Sequence, residues 1–138
     1  MFDRCIYFNT MALGRQLDRV WTTAFKPFDL TPPQAFMLRA ILERPAMQPS
    51  ELADTLKIAR ATATRALDGL SARGLIERRS TKRDRRECEV YPTVEAAALQ
   101  EKLNQASAEV TRTIKAKLGT PEFASFVKQA KAIAAAVE

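Results

Sequence analysis

Residues 48–74 read QPSELADTLKIARATATRALDGLSARG, and the fold turns on how this stretch is read. Gln48-Pro49-Ser50-Glu51 starts a short helix. Proline at its first position gives up an N–H that has no partner there, and Glu51 at the third complements the positive end of the helix dipole. Leu52, Ala53 and Leu56 form the inner face, and the helix ends near Lys57-Ile58. A second helix runs from about Arg60 to Arg73 and closes at Gly74, the residue type that takes a left-handed stop. Two short helices joined by a few residues are a helix-turn-helix. On the second, Ala63, Ala66, Leu67 and Leu70 share one face. At roughly 100° per residue, Ala61, Thr64, Arg65 and Asp68 lie opposite, with Arg60 and Thr62 flanking near the N-terminal end. Small, hydroxyl and arginine side chains let a helix approach a major groove and hydrogen-bond base edges and phosphates. A plain amphipathic helix with two arginines on its wet face is the alternative. Gly69 falls inside this helix at a cost of ~1 kcal/mol relative to alanine, and nothing in the sequence accounts for it.

Working outward, Leu75-Ile76-Glu77-Arg78-Arg79 and Glu87-Cys88-Glu89-Val90-Tyr91 alternate well enough for two strands of a hairpin. Between them, Ser80-Thr81-Lys82-Arg83-Asp84-Arg85-Arg86 forms an exposed basic tip, a wing able to reach a DNA backbone or minor groove. A protease-sensitive arginine loop is the other reading. Upstream, Thr31-Pro32-Pro33-Gln34 is a helix start with a hydroxyl N-cap, proline in the first turn and Gln at the third position. The helix that follows, to Glu43, is apolar almost all round and should be buried. Residues 3–26 read as a long helix with two apolar strips, one of Ile6, Leu13, Leu17, Val20 and Ala24, the other of Phe8, Met11, Trp21 and Phe25. Pro27 ends it. Downstream, Thr93 caps a long helix to about Leu118, and Gly119-Thr120-Pro121 separates it from a last helix carrying Phe123, Phe126, Val127, Ala130, Ile133, Ala134 and Val137. The three outer helices have more apolar face than the compact module between them covers, so a dimer follows.

The 138 residues amount to one domain able to bury its own core. The net charge is +6, and its location says more than its size. Between Lys57 and Arg86 there are ten basic residues and three acidic ones, a net of +7, while the remainder is −1. Concentration of the excess in one segment points to a polyanion. The chain has no histidine, which removes the commonest general base, the Ser-His and Cys-His nucleophile pairs and most zinc sites. An enzyme is therefore not expected, nor a metal or cofactor. No apolar run is long enough for a membrane span and no secretory signal is visible, so a cytoplasmic protein is expected. Two distant cysteines, Cys5 and Cys88, make no disulfide framework.

These pieces resemble the MarR (multiple-antibiotic-resistance regulator) family over nearly the whole length. The resemblance is carried by Leu30-Thr31-Pro32-Pro33-Gln34, by Ser50-Glu51-Leu52-Ala53-Asp54-Thr55-Leu56 and by Ala61-Thr62-Ala63-Thr64-Arg65-Ala66-Leu67-Asp68-Gly69-Leu70. Gly74-Leu75-Ile76-Glu77-Arg78-Arg79 and Asp84-Arg85-Arg86 complete it in order. It implies a mostly α winged helix-turn-helix protein with a small β-hairpin. Residues 31–92 would be the DNA-binding module, and residues 1–28 and 93–138 the helices of a homodimer. It further implies a transcription regulator, a repressor, that binds double-stranded DNA at a near-palindromic operator. On that pattern Arg60, Ala61, Thr62, Thr64, Arg65, Lys82, Arg83, Asp84 and Arg86 are the DNA-contact candidates. Arg86 resembles the wing arginine that enters the minor groove, with Asp84 orienting it. The chain departs from the family at Ala59 and Ala61, where Asp or Ser is usual, and at Pro92, where Leu is usual.

Most members of the family bind a small aromatic or anionic effector between the dimer helices and the DNA module. Arg15, Trp21, Phe25, Phe28, Phe36 and Arg39 could line such a pocket here, against a reading as core aromatics and solvated arginines. Cys5-Ile6-Tyr7-Phe8 is similar to the reactive-cysteine segment of the hydroperoxide-sensing branch, which makes Cys5 a candidate oxidant sensor. Pro32 stands where that branch has a tyrosine, and a small buried cysteine is the competing reading. Outside regulation, the rivals are a winged-helix protein that binds nucleic acid without sequence preference, and an adaptor whose basic wing meets an acidic protein. Steep salt dependence without sequence preference marks the first, and no duplex binding at physiological salt marks the second.

Overall fold

The computed structural model describes residues 1–81 and 88–138. Helix α1 spans Ile6–Phe25. It starts three residues later than the periodicity suggests, because Cys5 is its N-cap without a capping side chain. The side-chain amide of Asn9 donates instead to the carbonyls of Cys5 and Asp3, at 2.8 and 3.1 Å, and so folds the first residues over the helix end. Pro27 ends α1 as expected, in a 3-10 turn, Lys26–Phe28, that closes on Asp29 in the left-handed region (φ 54°).

Helix α2 spans Pro32–Glu43. Its start is a full capping box: the Thr31 hydroxyl accepts from the Gln34 N–H at 3.3 Å, and the Gln34 side chain accepts from the Thr31 N–H at 3.0 Å. The helix is not buried all round. Ala35, Met37, Leu38 and Ile41 are in the core, whereas Phe36 is 38% exposed. Helix α3 spans Pro49–Leu56 and stops at Lys57 with φ 55°. Helix α4 spans Arg60–Ala72 from an N-cap, Ala59, that offers no side chain, and Gly74 follows at φ 68°.

Strands β1 (Ile76–Ser80) and β2 (Cys88–Pro92) pair antiparallel, with Ile76 opposite Pro92 and Ser80 opposite Cys88. The first starts one residue beyond the sequence reading, whereas Glu87, where that reading starts the second, lies outside the described residues. Val90, on the far side of β2, exchanges backbone hydrogen bonds with the loop between α2 and α3, donating to Met47 and accepting from Ala46. The hairpin base is thereby stitched to the helix-turn-helix.

The expected single helix from Thr93 is interrupted. A one-turn helix α5 (Val94–Ala97) is followed by α6 (Gln100–Leu118). The Leu99 N–H bonds to Ala96 three residues back, which tightens the chain at residues 98–99. Thr93 holds the first turn in place: its hydroxyl accepts from the Ala96 N–H and donates to the Gly74 carbonyl at 2.8 Å, tying α5 to the end of α4. Ala96 and Leu103, on either side of the break, are both fully buried.

One core gathers Phe25, Leu30, Met37, Leu38, Ile41, Leu52, Leu67, Leu70, Val90 and Leu103 from α1, the segment before α2, α2, α3, α4, β2 and α6. Each such side chain contributes about 1.5–3 kcal/mol by leaving water. The one buried polar side chain among the described residues, Ser107, accepts from Trp21 Nε1 at 3.2 Å and so joins α6 to α1. Helix α7 (Thr120–Ala136) packs chiefly on α6 and contributes no buried residue. No helix among the described residues is long and apolar enough to cross a membrane.

Candidate nucleic-acid interface

The division of α4 into two faces is clean. Ala63, Ala66, Leu67 and Leu70 are at most 4% exposed, while Arg60, Ala61, Thr64, Arg65 and Asp68 face solvent and Thr62 is half-buried. Alanines at 63 and 66 let α4 lie close against its neighbours α2 and α3. The exposed face is shallow near its N-terminal end, where Ala61 and Thr64 add little bulk.

Hydrogen bonding already orders this face. The Thr64 hydroxyl donates to the Arg60 carbonyl at 2.9 Å, which leaves its oxygen lone pairs and its methyl group facing outward. Arg65 Nη2 donates to the Thr62 hydroxyl at 3.3 Å, holding the guanidinium along the helix surface. The Arg60 guanidinium has no hydrogen-bond or ion-pair partner among the described residues. A cleft of about 400 Å³ opens beside it, lined by Gln48, Pro49, Ser50, Arg60, Ala63, Thr64 and Cys88. The N-terminal ends of α3 and α4 and the start of β2 therefore meet in one place.

Besides Arg65, three cations of the basic block are engaged within the protein. Arg78 pairs with Asp68 at 2.7 Å, from the first wing strand back to α4. Arg79 lies over the Tyr91 ring at 4.0 Å and touches Glu77 at 3.3 Å. The Tyr91 hydroxyl donates to Glu89 at 2.6 Å, and this bond to a carboxylate, with some desolvation, raises the phenol above its ordinary pKa. Arg73 donates to the carbonyls of Asp29 and Phe28. Of the expected contact residues, Arg60, Ala61, Thr62, Thr64 and Arg65 fall together on one surface of α4. Lys82, Arg83, Asp84 and Arg86 lie outside the described residues.

The residues considered for an effector pocket are spread out. Phe25 is fully buried and makes a T-shaped contact with Phe36, with ring centres 5.9 Å apart at 89°. Arg39 lies over the Phe36 ring at 5.1 Å and donates to Asn104 at 2.8 Å. Burial depresses its guanidinium pKa, and the Glu43 carboxylate opposes that shift. Arg39 also lines a pocket of about 390 Å³ with Asn104, Ser107, Thr111, Arg112 and Lys115 of α6. Trp21 is not among the residues that line this pocket but donates to Ser107, which is. Phe28 packs on the core, and Arg15 stands apart on α1 beside Met11, Asp18 and Arg19.

Asn104, Ser107, Thr111, Arg112 and Lys115 were not singled out from the sequence. Their spacing is that of a polar strip on one helix face, and this is the signal that could have found them. Cys88, at the cleft beside Arg60, carried no such signal. Cys5 is exposed. No group of three or more metal-ligating side chains occurs among the described residues.

Residues 28–87 match the model of the MarR family. Over 81 residues the chain is 32% identical to the uncharacterized HTH-type transcriptional regulator YybA of Bacillus subtilis (strain 168). That alignment is 59% of this chain and 54% of YybA, so the chain spans about half the length of this curated relative. A cysteine-to-serine mutant of MarR from E. coli, crystallised in complex with operator DNA, matches with a TM-score of 0.83 at 25% identity, covering 96% of this chain and 97% of that one. A MarR protein from Peptoclostridium difficile DA00132 matches with a TM-score of 0.86 at 22% identity, covering 98% and 88%.

Proposed function

We propose that this chain, which belongs to the MarR family through its winged helix-turn-helix module, is a cytoplasmic repressor that binds a near-palindromic operator as a homodimer. It is a transcription regulator and not an enzyme. The observation that carries the finer reading is the exposed face of α4. Arg60, Ala61, Thr64 and Arg65 are all exposed there, beside a two-stranded hairpin, and in the sequence the remaining basic residues lie between its two strands. Arg86, oriented by Asp84, is assigned to the adjacent minor groove on the family pattern.

Dimer formation is supported by α7. Helices in proteins gain most of their stability from covering an apolar face, and α7, packed chiefly on α6, leaves part of its own uncovered. Here Phe126, Val127, Ile133 and Val137 are exposed, as are Phe2, Ile6, Tyr7, Phe8 and Met11 at the other end of the chain. A second copy would cover both.

A releasing effector is assigned to the pocket around Arg39, where Arg112 and Lys115 converge with three uncharged polar side chains. A small aromatic anion fits that chemistry. Fluorescence of Trp21, the one tryptophan, would report its entry through Ser107.

Selection of bound DNA from a random duplex pool tests the main reading. A two-fold symmetric consensus is expected, with Arg86→Ala and Arg65→Ala each weakening binding to it. Recovery of unrelated sequences with steep salt dependence would make this a non-specific binder.

A further inference from the structure

The recognition surface on α4 must be held at a fixed attitude to the rest of each subunit; its buried face packs on α2 and α3, and one side chain adds a connection to the end of α1. Arg73, the C-cap of α4, donates through Nη2 to the Phe28 carbonyl at 3.0 Å and through Nη1 to the Asp29 carbonyl. Among the described residues, these are the hydrogen bonds that run from α4 to the segment joining α1 to α2. Two successive carbonyls can meet one guanidinium because Asp29 sits in the left-handed region, φ 54° and ψ 42°, which bends the chain between them. Aspartate is among the few residue types that tolerate this conformation. The planar fork of arginine matches a pair of acceptors, and the point charge of lysine does not.

We infer that Arg73 is a positioning residue for DNA recognition, a clamp that sets the angle between α4 and the end of α1. It stands about 20 Å along the helix from Arg60, at the end remote from the groove-facing residues. Arg73 counts toward the basic block, yet its donors are turned inward to the protein's own backbone. The clamp is solvent-exposed, so it adds little to global stability, and its role in geometry can be separated from folding. In the dimer proposed above, α1 and α7 would fix the two subunits together, and the clamp would fix each α4 to that frame. The distance between the two recognition helices then depends on Arg73. This inference rests on the operator-binding dimer.

The test compares wild type, Arg73→Gln and Arg73→Lys on the operator selected by wild type. It also uses variants with one base pair inserted or removed at the centre, and random duplex. Wild type should discriminate sharply among the spacings. Loss of spacing discrimination by wild type itself would overturn the dimeric operator reading, not the clamp alone. Given a discriminating wild type, Arg73→Gln should lose about three- to tenfold on the selected operator, the scale of one hydrogen-bonded contact. It should flatten the spacing preference and leave random-duplex affinity and the melting temperature nearly unchanged. Arg73→Lys, which keeps the charge and loses the fork, should behave like Arg73→Gln. Full rescue by lysine, or an equal loss on random duplex with a shallower salt dependence, would make Arg73 a phosphate contact and overturn the clamp. An unchanged spacing preference in both variants would overturn it as well.

Discussion

The side-chain amide of Gln34 lies over Gly69, in the space that a β-carbon at position 69 would occupy. The same side chain closes the capping box on Thr31, so the start of α2 is built at the expense of a side chain in the middle of α4. Glycine inside a helix costs about 1 kcal/mol relative to alanine, and a helix cap contributes about the same.

Gly69→Ala should therefore change stability by less than about 1 kcal/mol, because the gain in helix propensity is offset by displacing Gln34. In a Gln34→Ala background the same substitution should stabilise by about 1 kcal/mol. Urea unfolding of the four proteins gives the coupling directly. If alanine at 69 stabilises equally in both backgrounds, steric conflict with Gln34 is not the reason for the glycine.

This pair also shows what sequence alone could and could not reveal. The capping box was legible because Thr31 and Gln34 are three residues apart and the rule for them is local. The reason for Gly69 was not, since its partner is 35 positions away and only packing of α2 on α4 brings them together. Periodicity likewise identified the buried face of α4 residue by residue, and the helix-turn-helix with it. It missed the break at residues 98–99, where apolar spacing continues through a tightened turn. Counting charge located the basic block but could not tell which cations face outward. Arg73 is bonded to Phe28 and Asp29, and Arg78 to Asp68. Arg39 was legible as a pocket candidate and the α6 residues as a polar strip, but not that the two face each other, since α2 and α6 are distant in sequence.

Thr64→Ala and Arg65→Ala should weaken operator binding more than random-duplex binding. A lost bidentate base contact is worth about 1–3 kcal/mol of discrimination. Thr64 is the more informative of the two, because its O–H is engaged by the Arg60 carbonyl. It is left to accept from an adenine or cytosine amino group, or to touch a thymine methyl. Titrations on both DNAs measure the difference, and equal losses would reduce both residues to backbone contacts.

Asp68 is the acidic residue of the exposed α4 face, and Arg78 is its partner. Both side chains are substantially exposed, so Asp68→Asn should alter stability by less than about 1 kcal/mol. Removing the anion frees Arg78 toward a phosphate backbone and strengthens random-duplex binding several-fold at low salt. The gain should shrink as salt is raised, within a Debye length of about 10 Å at 0.1 M. Titration of random duplex at two ionic strengths checks this. Weaker binding by Asp68→Asn would mean instead that the pair orients the wing.

The last prediction concerns how the two ends of the chain are covered. The apolar residues around Cys5 and those of α7 are exposed in one subunit, and Cys5 is exposed with them. If a second copy covers this surface, a thiol reagent should label Cys5 more slowly as protein concentration rises through the dimer range. Cys88, in β2 and half-buried, should label at a rate independent of concentration. Phe126→Glu or Ile133→Glu places a charge in the proposed contact and should yield a 15.4 kDa monomer whose Cys5 labels fast at every concentration. Such a monomer should lose operator binding far more than random-duplex binding, since only the symmetric site needs two modules at once. The same preparations settle the role of Cys5 under oxidation. Mild peroxide should weaken operator binding by wild type and not by Cys5→Ser if the thiol is a sensor, because a sulfenic acid or mixed disulfide adds bulk and polarity in the contact region. Equal operator binding by treated and untreated wild type would leave Cys5 as a packing residue and place regulation at the pocket around Arg39.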